Sequence, residues 1–321
     1  MQRPSELWGP SSSLDTLRAR AAALARIRAF FASRGILEVD TPQLCPVSAT
    51  DPLLDSVPAQ PFRDGRTWYL QTSPEFPLKR LLAAGSGPIY QLGKCFRRGE
   101  AGPRHNPEFT MLEWYRPGLD LGALIAEVAA LAGELVPGLP LRSASYRTLF
   151  LLHAGIDPFA VGDPQLRERA VAFAPDADSW DRDAILDLLF STLVEPRLGD
   201  GCLEVVTDFP ASQAALARTR SDEHGNRVAA RFELFMRGLE IANGYDELCD
   251  PSELRRRFEA DNAERLRRGL DPVPVDERLL AAMSHGLPEC SGVALGVDRL
   301  LMVALGKQRI DEVIAFGADR A

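Results

Sequence analysis

The chain has 321 residues, of which 45% are hydrophobic and 26% charged, a composition typical of a globular protein. Its formal net charge of -8 argues against broad nucleic-acid binding, which needs a basic face, and leaves room only for a local basic patch. No apolar run approaches a membrane span, and residues 1–13 lack the apolar core of a signal peptide. Five scattered cysteines indicate free thiols in a reducing cytoplasm, and four histidines without metal-ligand spacing predict no zinc site.

Hydrophobic periodicity predicts a helix at the start of the chain, followed by short strands. Apolar side chains recur at helical spacing over residues 14–34, with Ser12 as the expected N-cap and Gly35 as the end. The other elements predicted in this half are strands over 36–40, 68–71 and 89–95, a loop over 51–65 and a helix over 74–84.

The second half mixes helices and strands without regular alternation. Helices are predicted over 119–136, 180–195 and 251–268, the last with Asp250 and Glu253 as a capping box, and a final helix from Leu295 to Gly306. The remaining predictions are a surface insertion over 156–179, a strand over 203–209 and a hairpin over 231–242 that turns at 237–238. This pattern favours an α+β fold with a mainly antiparallel sheet.

Charged residues concentrate between Arg97 and Tyr115. Arg97, Arg98 and Arg104 precede two carboxylates, Glu108 and Glu113, on a run of alternating polar and apolar residues. Guanidinium groups offer forked, permanently charged donors to phosphate, and carboxylates suit Mg²⁺ or an ammonium group. A strand, a basic loop and a second strand would bring both kinds of group to one site. The alternative is a solvated hairpin that carries surface charges.

Two further patterns suggest ligand binding. Glu233, Glu240 and Glu247 recur every seven residues among apolar neighbours, where carboxylates are costly unless they bind a cation. The alternative is an exposed strand face. A glycine-containing run that starts at Ser291 permits close backbone approach, and Arg299 follows it in the first turn of an apolar helix. A surface charge is the alternative for Arg299.

Together these elements resemble the signature motifs of class II aminoacyl-tRNA synthetases. Residues 28–42 resemble motif 1, residues 96–115 motif 2 and residues 292–299 motif 3. The segments Arg-His-Asn-Pro-Glu-Phe-Thr-Met (104–111), Glu-Ile-Ala-Asn-Gly (240–244) and Thr-Ser-Pro-Glu (72–75) are similar to the lysyl branch. The resemblance implies a class II catalytic core over 14–321, an antiparallel sheet flanked by helices, behind an N-terminal tail over 1–13. It also implies a homodimer formed through motif 1.

Lysyl-tRNA synthetases carry an anticodon-binding barrel before motif 1, whereas only the short segment 1–13 precedes the first predicted helix here. The chain is therefore similar to the paralogues that attach (R)-β-lysine to a lysine of translation elongation factor P. This resemblance implies a cytoplasmic enzyme with that protein as acceptor, and neither tRNA nor a membrane as partner. A truncated lysyl-tRNA synthetase-like enzyme and a non-catalytic regulatory paralogue are the alternatives.

The resemblance also assigns roles in a two-step reaction, adenylation by ATP with Mg²⁺ and then transfer. Arg97 and Arg299 are the expected catalytic residues. Residues expected to bind ATP are Arg97, Arg98, Gly99, Arg104, His105, Asn106, Phe109, Glu240, Ile241, Gly296 and Arg299. Residues expected to bind the amino acid are Ser73, Pro74, Glu75, Tyr115, Glu247 and Ala294, and those expected to bind Mg²⁺ are Glu233 and Glu240.

Two positions depart from the family pattern. Gly99 stands where motif 2 usually has Glu, so an adenine contact from that side chain is not available, although backbone groups at 98–100 could replace it. Ala294 stands where the lysyl enzymes have Gly. One extra methyl group at the pocket floor would disfavour α-lysine and suit an amine in a shifted position.

Overall fold

The computed structural model describes residues 8–321. Its helices are α1 (Leu14–Ala32), α2 (Glu75–Ala83), α3 (Leu121–Leu135), α4 (Tyr146–Ala154), α5 (Asp163–Val171), α6 (Arg182–Leu189), α7 (Pro251–Arg267), α8 (Glu277–Gly286) and α9 (Val297–Ala304). Its strands are β1 (Leu37–Glu38), β2 (Leu44–Cys45), β3 (Val57–Ala59), β4 (Trp68–Leu70), β5 (Ile89–Phe96), β6 (Glu108–Pro117), β7 (Leu141–Ser145), β8 (Leu203–Thr207), β9 (Thr219–Ser221), β10 (Arg227–Ala229), β11 (Arg231–Met236), β12 (Leu239–Asp246) and β13 (Cys290–Gly296).

The chain divides into two compact units. Unit 1 contains the chain up to Leu119, the short piece Glu134–Val136, and Leu248–Ala321. Unit 2 contains Asp120–Gly133 and Pro137–Glu247. Among residues 8–321, no helix combines the length and apolar character needed to cross a membrane.

Unit 1 is built on antiparallel strands with one parallel edge. β6 pairs antiparallel with β5 and with β13, and β1 pairs parallel with β5, while β2, β4 and β3 form a small separate sheet. Helix α1 packs on the sheet through Phe31, whose ring stacks on Tyr90 at 4.3 Å and meets Trp114 edge-on at 5.3 Å. Because strand side chains alternate, Glu113 and Tyr115 point to the face opposite Trp114 and α1.

Unit 2 has the antiparallel pairs β11–β12 and β11–β8 and the parallel pair β7–β8. The hairpin predicted over 231–242 is confirmed and extends to Asp246. Its turn places Arg237 and Gly238 at φ 53° and 65°, the left-handed region that glycine tolerates best. Tyr146 is buried in the core of this unit, and its ring stacks on that of Phe190 with the centroids 5.1 Å apart.

The segment 156–179, predicted as a surface insertion, does not lie only on the surface. This segment contains α5 and a short turn, and it buries Leu166, Ala170 and Ala177 in the core of unit 2. Leu166 and Ala170 are four residues apart, so they share one helix face, while the polar residues between them face outward. Because the segment is rich in proline and aspartate, this short apolar stripe was not recognised in the sequence.

Several predicted boundaries shift by a few residues. Ser13, not Ser12, caps α1, because its Oγ accepts from Thr16 N at 3.1 Å. The final helix begins at Val297 rather than Leu295, because β13 continues its pairing with β6 as far as Gly296. The predicted helix over 180–195 is α6 followed by a π-helical turn over Phe190–Val194, and the predicted loop over 51–65 contains β3.

The predictions for the N-cap of α7 and for the N-terminal tail can also be compared with the structure. Asp250 caps α7, with its carboxylate accepting from Ser252 N and Glu253 N, whereas the side chain of Glu253, the expected second member of the capping box, pairs with Arg256 and Arg257. Of the predicted tail over 1–13, residues 1–7 lie outside the described residues. Within the described part, Ser11 N donates to Ala315 O at 2.7 Å, so this end of the chain is attached to the C-terminal segment. Strand β7 and helices α4 and α8 were not predicted.

Candidate active site

Glu113, on β6, is a deeply buried acid of unit 1, with 2% of its surface exposed. Tyr115 Oη donates to Glu113 Oε1 at 2.7 Å, and Ser73 Oγ donates to Glu113 Oε2 at 2.7 Å. Burial raises the pKa of Glu113 to about 7 and the nearby Glu75 adds to this, whereas the two hydrogen bonds and Lys79 lower it. The carboxylate is thus held rigidly but at an electrostatic cost that a bound cation would offset.

A second carboxylate lies at the start of α2. Glu75 N donates to Ser73 Oγ at 3.0 Å, so the turn at Pro74 fixes both side chains. One helical turn later, Lys79 Nζ donates to Glu75 Oε1 at 2.6 Å, and Lys79 is only 1% exposed. When all three groups are ionised, Glu75, Glu113 and Lys79 carry one surplus negative charge. That arrangement suits a substrate ammonium group.

Ala294 lies directly beside this cluster. In the antiparallel register of β6 and β13, Ala294 is the partner of Glu113, and Gly292 is the partner of Tyr115. Directly opposed residues place their Cβ atoms roughly 5 Å apart on the same face of a sheet. The Ala294 methyl group therefore adds bulk on the same side as the Glu113 carboxylate.

A second cluster, rich in arginine, surrounds the loop between β5 and β6. The Arg97 guanidinium lies over the Phe109 ring at 5.0 Å, and its Nη1 is 3.6 Å from the Glu100 carboxylate. Among residues 8–321, the buried Arg97 Nε has no hydrogen-bond partner. Arg299, at the start of α9, places Nη2 2.5 Å from His105 Nε2. Guanidinium groups from motifs 2 and 3 are thus available to an anion in this region.

Backbone contacts hold the loop that carries these residues. Gly99 has φ 78°, a conformation that side chains rarely adopt, which explains why glycine replaces the expected Glu there. Arg98 N donates to Asp55 O at 2.8 Å, so this backbone group is already engaged. Asn106 Nδ2 donates to Glu108 O at 2.7 Å and its Oδ1 accepts from Ala318 N at 3.0 Å. In this conformation the Asn106 amide holds the loop.

The remaining expected ATP residues of unit 1 are near the same loop or the end of β13. Arg104 is exposed, and its carbonyl oxygen accepts from Arg299 Nε at 3.4 Å. Gly296 is the N-cap of α9, and a Cβ built on it would be 3.8 Å from the Arg299 side chain. The structure therefore brings together Arg97, Arg104, His105, Phe109, Gly296 and Arg299 within one region of unit 1, and leaves the exposed Arg98 side chain 3.7 Å from Asp55.

Unit 2 contains the three regularly spaced glutamates. Glu233 on β11 and Glu247 after β12 are buried, so the alternative of an exposed strand face is wrong for both. Glu233 forms an ion pair with Arg231. Burial raises the pKa of Glu233 to about 7; Arg231 opposes this effect and Glu240 reinforces it. Ile241 is buried, so only its backbone is available to a nucleotide.

The carboxylates of unit 2 fit Mg²⁺ only if phosphate oxygens of a nucleotide complete the coordination of the ion. Among residues 8–321, no three or more His, Cys, Asp or Glu side chains form a metal-binding cluster. Mg²⁺ in nucleotide enzymes is commonly held by one or two carboxylates together with phosphate oxygens. Glu233 and Glu240, on adjacent strands and close enough for Glu240 to raise the pKa of Glu233, provide two such carboxylates.

The residues that sequence reasoning missed are those whose role depends on tertiary neighbours. Glu113 was recognised in the charged run from Arg97 to Tyr115, but the resemblance assigned it no role. Lys79 was missed, although it follows Glu75 by one helical turn, a spacing at which opposite charges pair. Asp298 and Arg20 were also missed, and they form a buried ion pair at 2.6 Å.

Comparison with known proteins identifies the family. Residues 7–144 and 195–320 match the model described as tRNA synthetases class II (D, K and N). The chain belongs to this family. The resemblance based on the three motifs is confirmed, and so is the α+β fold with its mainly antiparallel sheet.

Curated relatives are similar over almost the full length. A protein of Pectobacterium atrosepticum is 48% identical over 330 residues, covering 98% of each chain. A protein of Pasteurella multocida is 48% identical over 321 residues, covering 98% of this chain and 99% of its own. A protein of Avibacterium paragallinarum is 49% identical over 319 residues, covering 98% of each. All three are named "Elongation factor P--(R)-beta-lysine ligase".

Proposed function

We propose that this protein is an ATP-dependent ligase that adenylates (R)-β-lysine and transfers it to a lysine side chain of elongation factor P. The observation that carries the proposal is the buried Glu113 carboxylate held by Ser73 and Tyr115, which together with Glu75 and Lys79 has one surplus negative charge when all three are ionised. It lies in the same unit as the arginine-bearing loop. The names of the relatives, which align over nearly their whole length, support the same substrates.

In the first step, the substrate carboxylate attacks the α-phosphorus of ATP, a new P–O bond forms, and pyrophosphate leaves. Arg97 and Arg299 neutralise the charge that develops on the α-phosphate, and the adenine lies between Phe109 and Arg299. Arg104 binds the γ-phosphate, with His105 and Asn106 nearby. Such a reaction needs positioning and charge neutralisation more than a covalent nucleophile.

We assign Glu233 and Glu240 to Mg²⁺, which when bound neutralises phosphate charge. Glu233 must then exchange part of its interaction with Arg231 for the ion, and Glu240 contributes the second carboxylate. Because Mg²⁺ keeps several waters and phosphate ligands, two protein carboxylates are sufficient.

The amino acid is held through its two ammonium groups. Glu113 and Glu75 are proposed carboxylates for this role, with Ser73 and Tyr115 orienting Glu113, and Glu247 is proposed as a substrate-binding acid from the resemblance. A charged hydrogen bond of this kind typically contributes about 1.5–3 kcal/mol. Ala294 limits the space beside Glu113 and so affects which isomer fits.

In the second step, the neutral ε-amine of the acceptor lysine attacks the carbonyl carbon of the adenylate. The new C–N bond forms, the bond to AMP breaks, and the amine loses one proton. We also propose that the enzyme is a cytoplasmic homodimer, with α1 and β1 at the interface, where Leu14 and Leu37 are exposed. Free thiols are consistent with that compartment.

The test is ATP–pyrophosphate exchange with (R)-β-lysine and α-lysine in parallel, followed by mass spectrometry of elongation factor P. We expect exchange with both isomers, faster with (R)-β-lysine, and a mass increase equal to one lysyl group. If the protein catalyses ATP–pyrophosphate exchange with neither isomer, the adenylation proposal is disproved. A chain that charges tRNA and leaves elongation factor P unmodified would favour the tRNA-charging alternative.

A further inference from the structure

A buried ion pair connects helix α1 to the start of α9, and its arginine also bonds to strand β6 in unit 1. Arg20 Nη1 donates to Asp298 Oδ1 at 2.6 Å, and Arg20 Nη2 donates to Thr110 Oγ1 at 2.7 Å. The other oxygen of the Asp298 carboxylate accepts from Thr110 N at 2.7 Å. The two side chains of the ion pair are 12% and 3% exposed. Arg20, Asp298 and Thr110 therefore close a hydrogen-bonded ring with little access to water.

The ring forms where the sheet ladder stops. β13 pairs with β6 as far as Gly296 opposite Met111, and from Val297 the chain turns into α9. Thr110 N, one residue beyond that last pair, is bonded by the Asp298 carboxylate in place of a strand carbonyl. The end of β13 and the start of β6 are thus joined by side chains, which a single substitution can remove without altering the ladder.

The chain neighbours of Thr110 and Asp298 are the two residues proposed to enclose adenine. Thr110 directly follows Phe109, and Asp298 directly precedes Arg299. The spacing between the Phe109 ring and the Arg299 guanidinium therefore depends on the bonds from Asp298 to Thr110 and from Arg20 to both. Arg20 also donates to Val313 O at 3.2 Å, which fixes its own position.

We propose that Arg20 and Asp298 are positioning residues for ATP, which set the width of the slot between Phe109 and Arg299 without touching the nucleotide. This inference rests on the proposed placement of ATP; it adds Arg20, which lies outside the three signature motifs, and gives a role to Asp298, which lies within motif 3. A misplacement of about 1 Å in such a site can cost on the order of 100-fold in rate.

The test compares Arg20→Met with a matched control on the same helix. Arg18 also pairs with an aspartate at 2.7 Å, but the side chains of Arg18 and Asp15 are 75% and 91% exposed. We expect Arg20→Met to weaken ATP binding, measured by titration calorimetry, by roughly tenfold or more, and to change the KM for the amino acid at saturating ATP by less than about threefold. Arg18→Met should change neither.

Two further variants separate positioning from stability. Arg20→Lys keeps the charge but loses the fork that reaches Asp298 and Thr110 together, so ATP binding should still weaken. The double variant Arg20→Met/Asp298→Asn removes the buried carboxylate that Arg20→Met leaves without its cation, so its Tm should exceed that of Arg20→Met. Its ATP affinity should remain low, because the ring is still broken. If Arg20→Met does not fold, Arg20→Lys and the double variant provide the comparison.

Three results would overturn the inference. The first is ATP affinity within threefold of the unaltered protein in Arg20→Met and Arg20→Lys. The second is recovery of ATP affinity together with Tm in the double variant, which would show a purely structural role. The third is equal weakening of ATP and amino-acid binding. Failure of the proposed function would be seen differently, as an unaltered protein that binds ATP but catalyses no exchange with either lysine isomer.

Discussion

The affinity for the amino acid should depend on pH through Glu113. Its pKa of about 7 in the free protein, compared with an ordinary value of 4.5, means that ionising it at neutral pH costs about 3 kcal/mol more than ionising an exposed glutamate. A substrate ammonium needs the ionised form. Below pH 7 binding must therefore release a proton, and the apparent affinity should fall about tenfold for each further pH unit. Above pH 7 the affinity should level off.

The stability of the folded protein should also depend on pH, because the pKa of Glu113 is raised. A carboxyl whose folded-state pKa is raised favours the folded state most below about pH 4.5, and that contribution is lost as pH rises through about 7. Substrate binding should reverse the loss, because a cation beside Glu113 lowers its pKa again. The amino acid should accordingly raise the Tm more at about pH 8 than at about pH 6.

The assay is calorimetric titration of (R)-β-lysine from about pH 6 to about pH 8, in two buffers that differ in ionisation enthalpy. Below pH 7 we expect about one proton to be released per substrate bound. Glu113→Gln should remove this proton release and weaken binding by about 1.5–3 kcal/mol, the range for a charged hydrogen bond. ATP affinity should change little.

Glu108→Gln is a suitable control, because Glu108 lies on the same strand but is exposed and pairs with Lys94 at 3.0 Å. It should leave both the affinity and the proton release unchanged. A flat pH profile in the unaltered protein would show that Glu113 is already ionised at pH 6. An unchanged pH profile in Glu113→Gln would assign the titration to another group, such as the substrate amines, and would refute the reasoning.

Four other predictions follow from the proposed roles. Arg299→Ala should reduce ATP–pyrophosphate exchange by roughly 100-fold or more, since losing one such donor costs about 3–4 kcal/mol, and activity within threefold of normal would contradict it. Glu247→Gln should weaken amino-acid binding by about 1.5–3 kcal/mol with ATP binding unchanged, whereas equal weakening of both would indicate a metal ligand. Ala294→Gly should improve use of α-lysine relative to (R)-β-lysine by about tenfold, scored by competition, and an unchanged ratio would exclude Ala294 as the determinant. Light scattering at micromolar concentration should give a dimer mass, and a monomer would contradict an interface through residues 14–42.

The sequence predicted those parts of the fold whose signals are local. β5, β6 and the arginine loop follow from alternation and charge, and the β11–β12 hairpin follows from an apolar run broken at Gly238. Helix α5 was missed because its apolar stripe is only a few residues wide and lies among prolines and acids. A short helix of this kind is stabilised by its packing partners, which the local sequence does not contain.

The site was predicted less completely, for a related physical reason. A glutamate at position 113 of an alternating strand could face water or the interior, and only the positions of Ser73 and Tyr115 determine which. Asp298 in the first turn of α9 is typical of a residue that favours a helix N-terminus. Its bond to Thr110 joins residues 188 positions apart in the chain, so no spacing rule could have predicted it.

The two buried charge clusters of unit 1 differ in balance, and the difference separates their roles. Arg20 and Asp298 neutralise each other, whereas Glu75, Glu113 and Lys79 retain one negative charge when all are ionised. A buried surplus charge is costly, so it is retained where a cation binds.

Charge alone, however, cannot choose between the two substrates, because α-lysine and (R)-β-lysine carry the same two ammonium groups and one carboxylate. Discrimination must therefore come from where one of those amines is placed. Ala294, the direct cross-strand partner of Glu113, adds its methyl group beside the carboxylate that receives an amine. A methyl-sized difference is worth about 1–3 kcal/mol, enough for a preference but not for complete exclusion. The chain should thus recognise an ammonium group of a lysine-like amino acid through Glu113 and select its isomer through Ala294, so removing the methyl group should alter the isomer ratio while leaving the pH dependence intact.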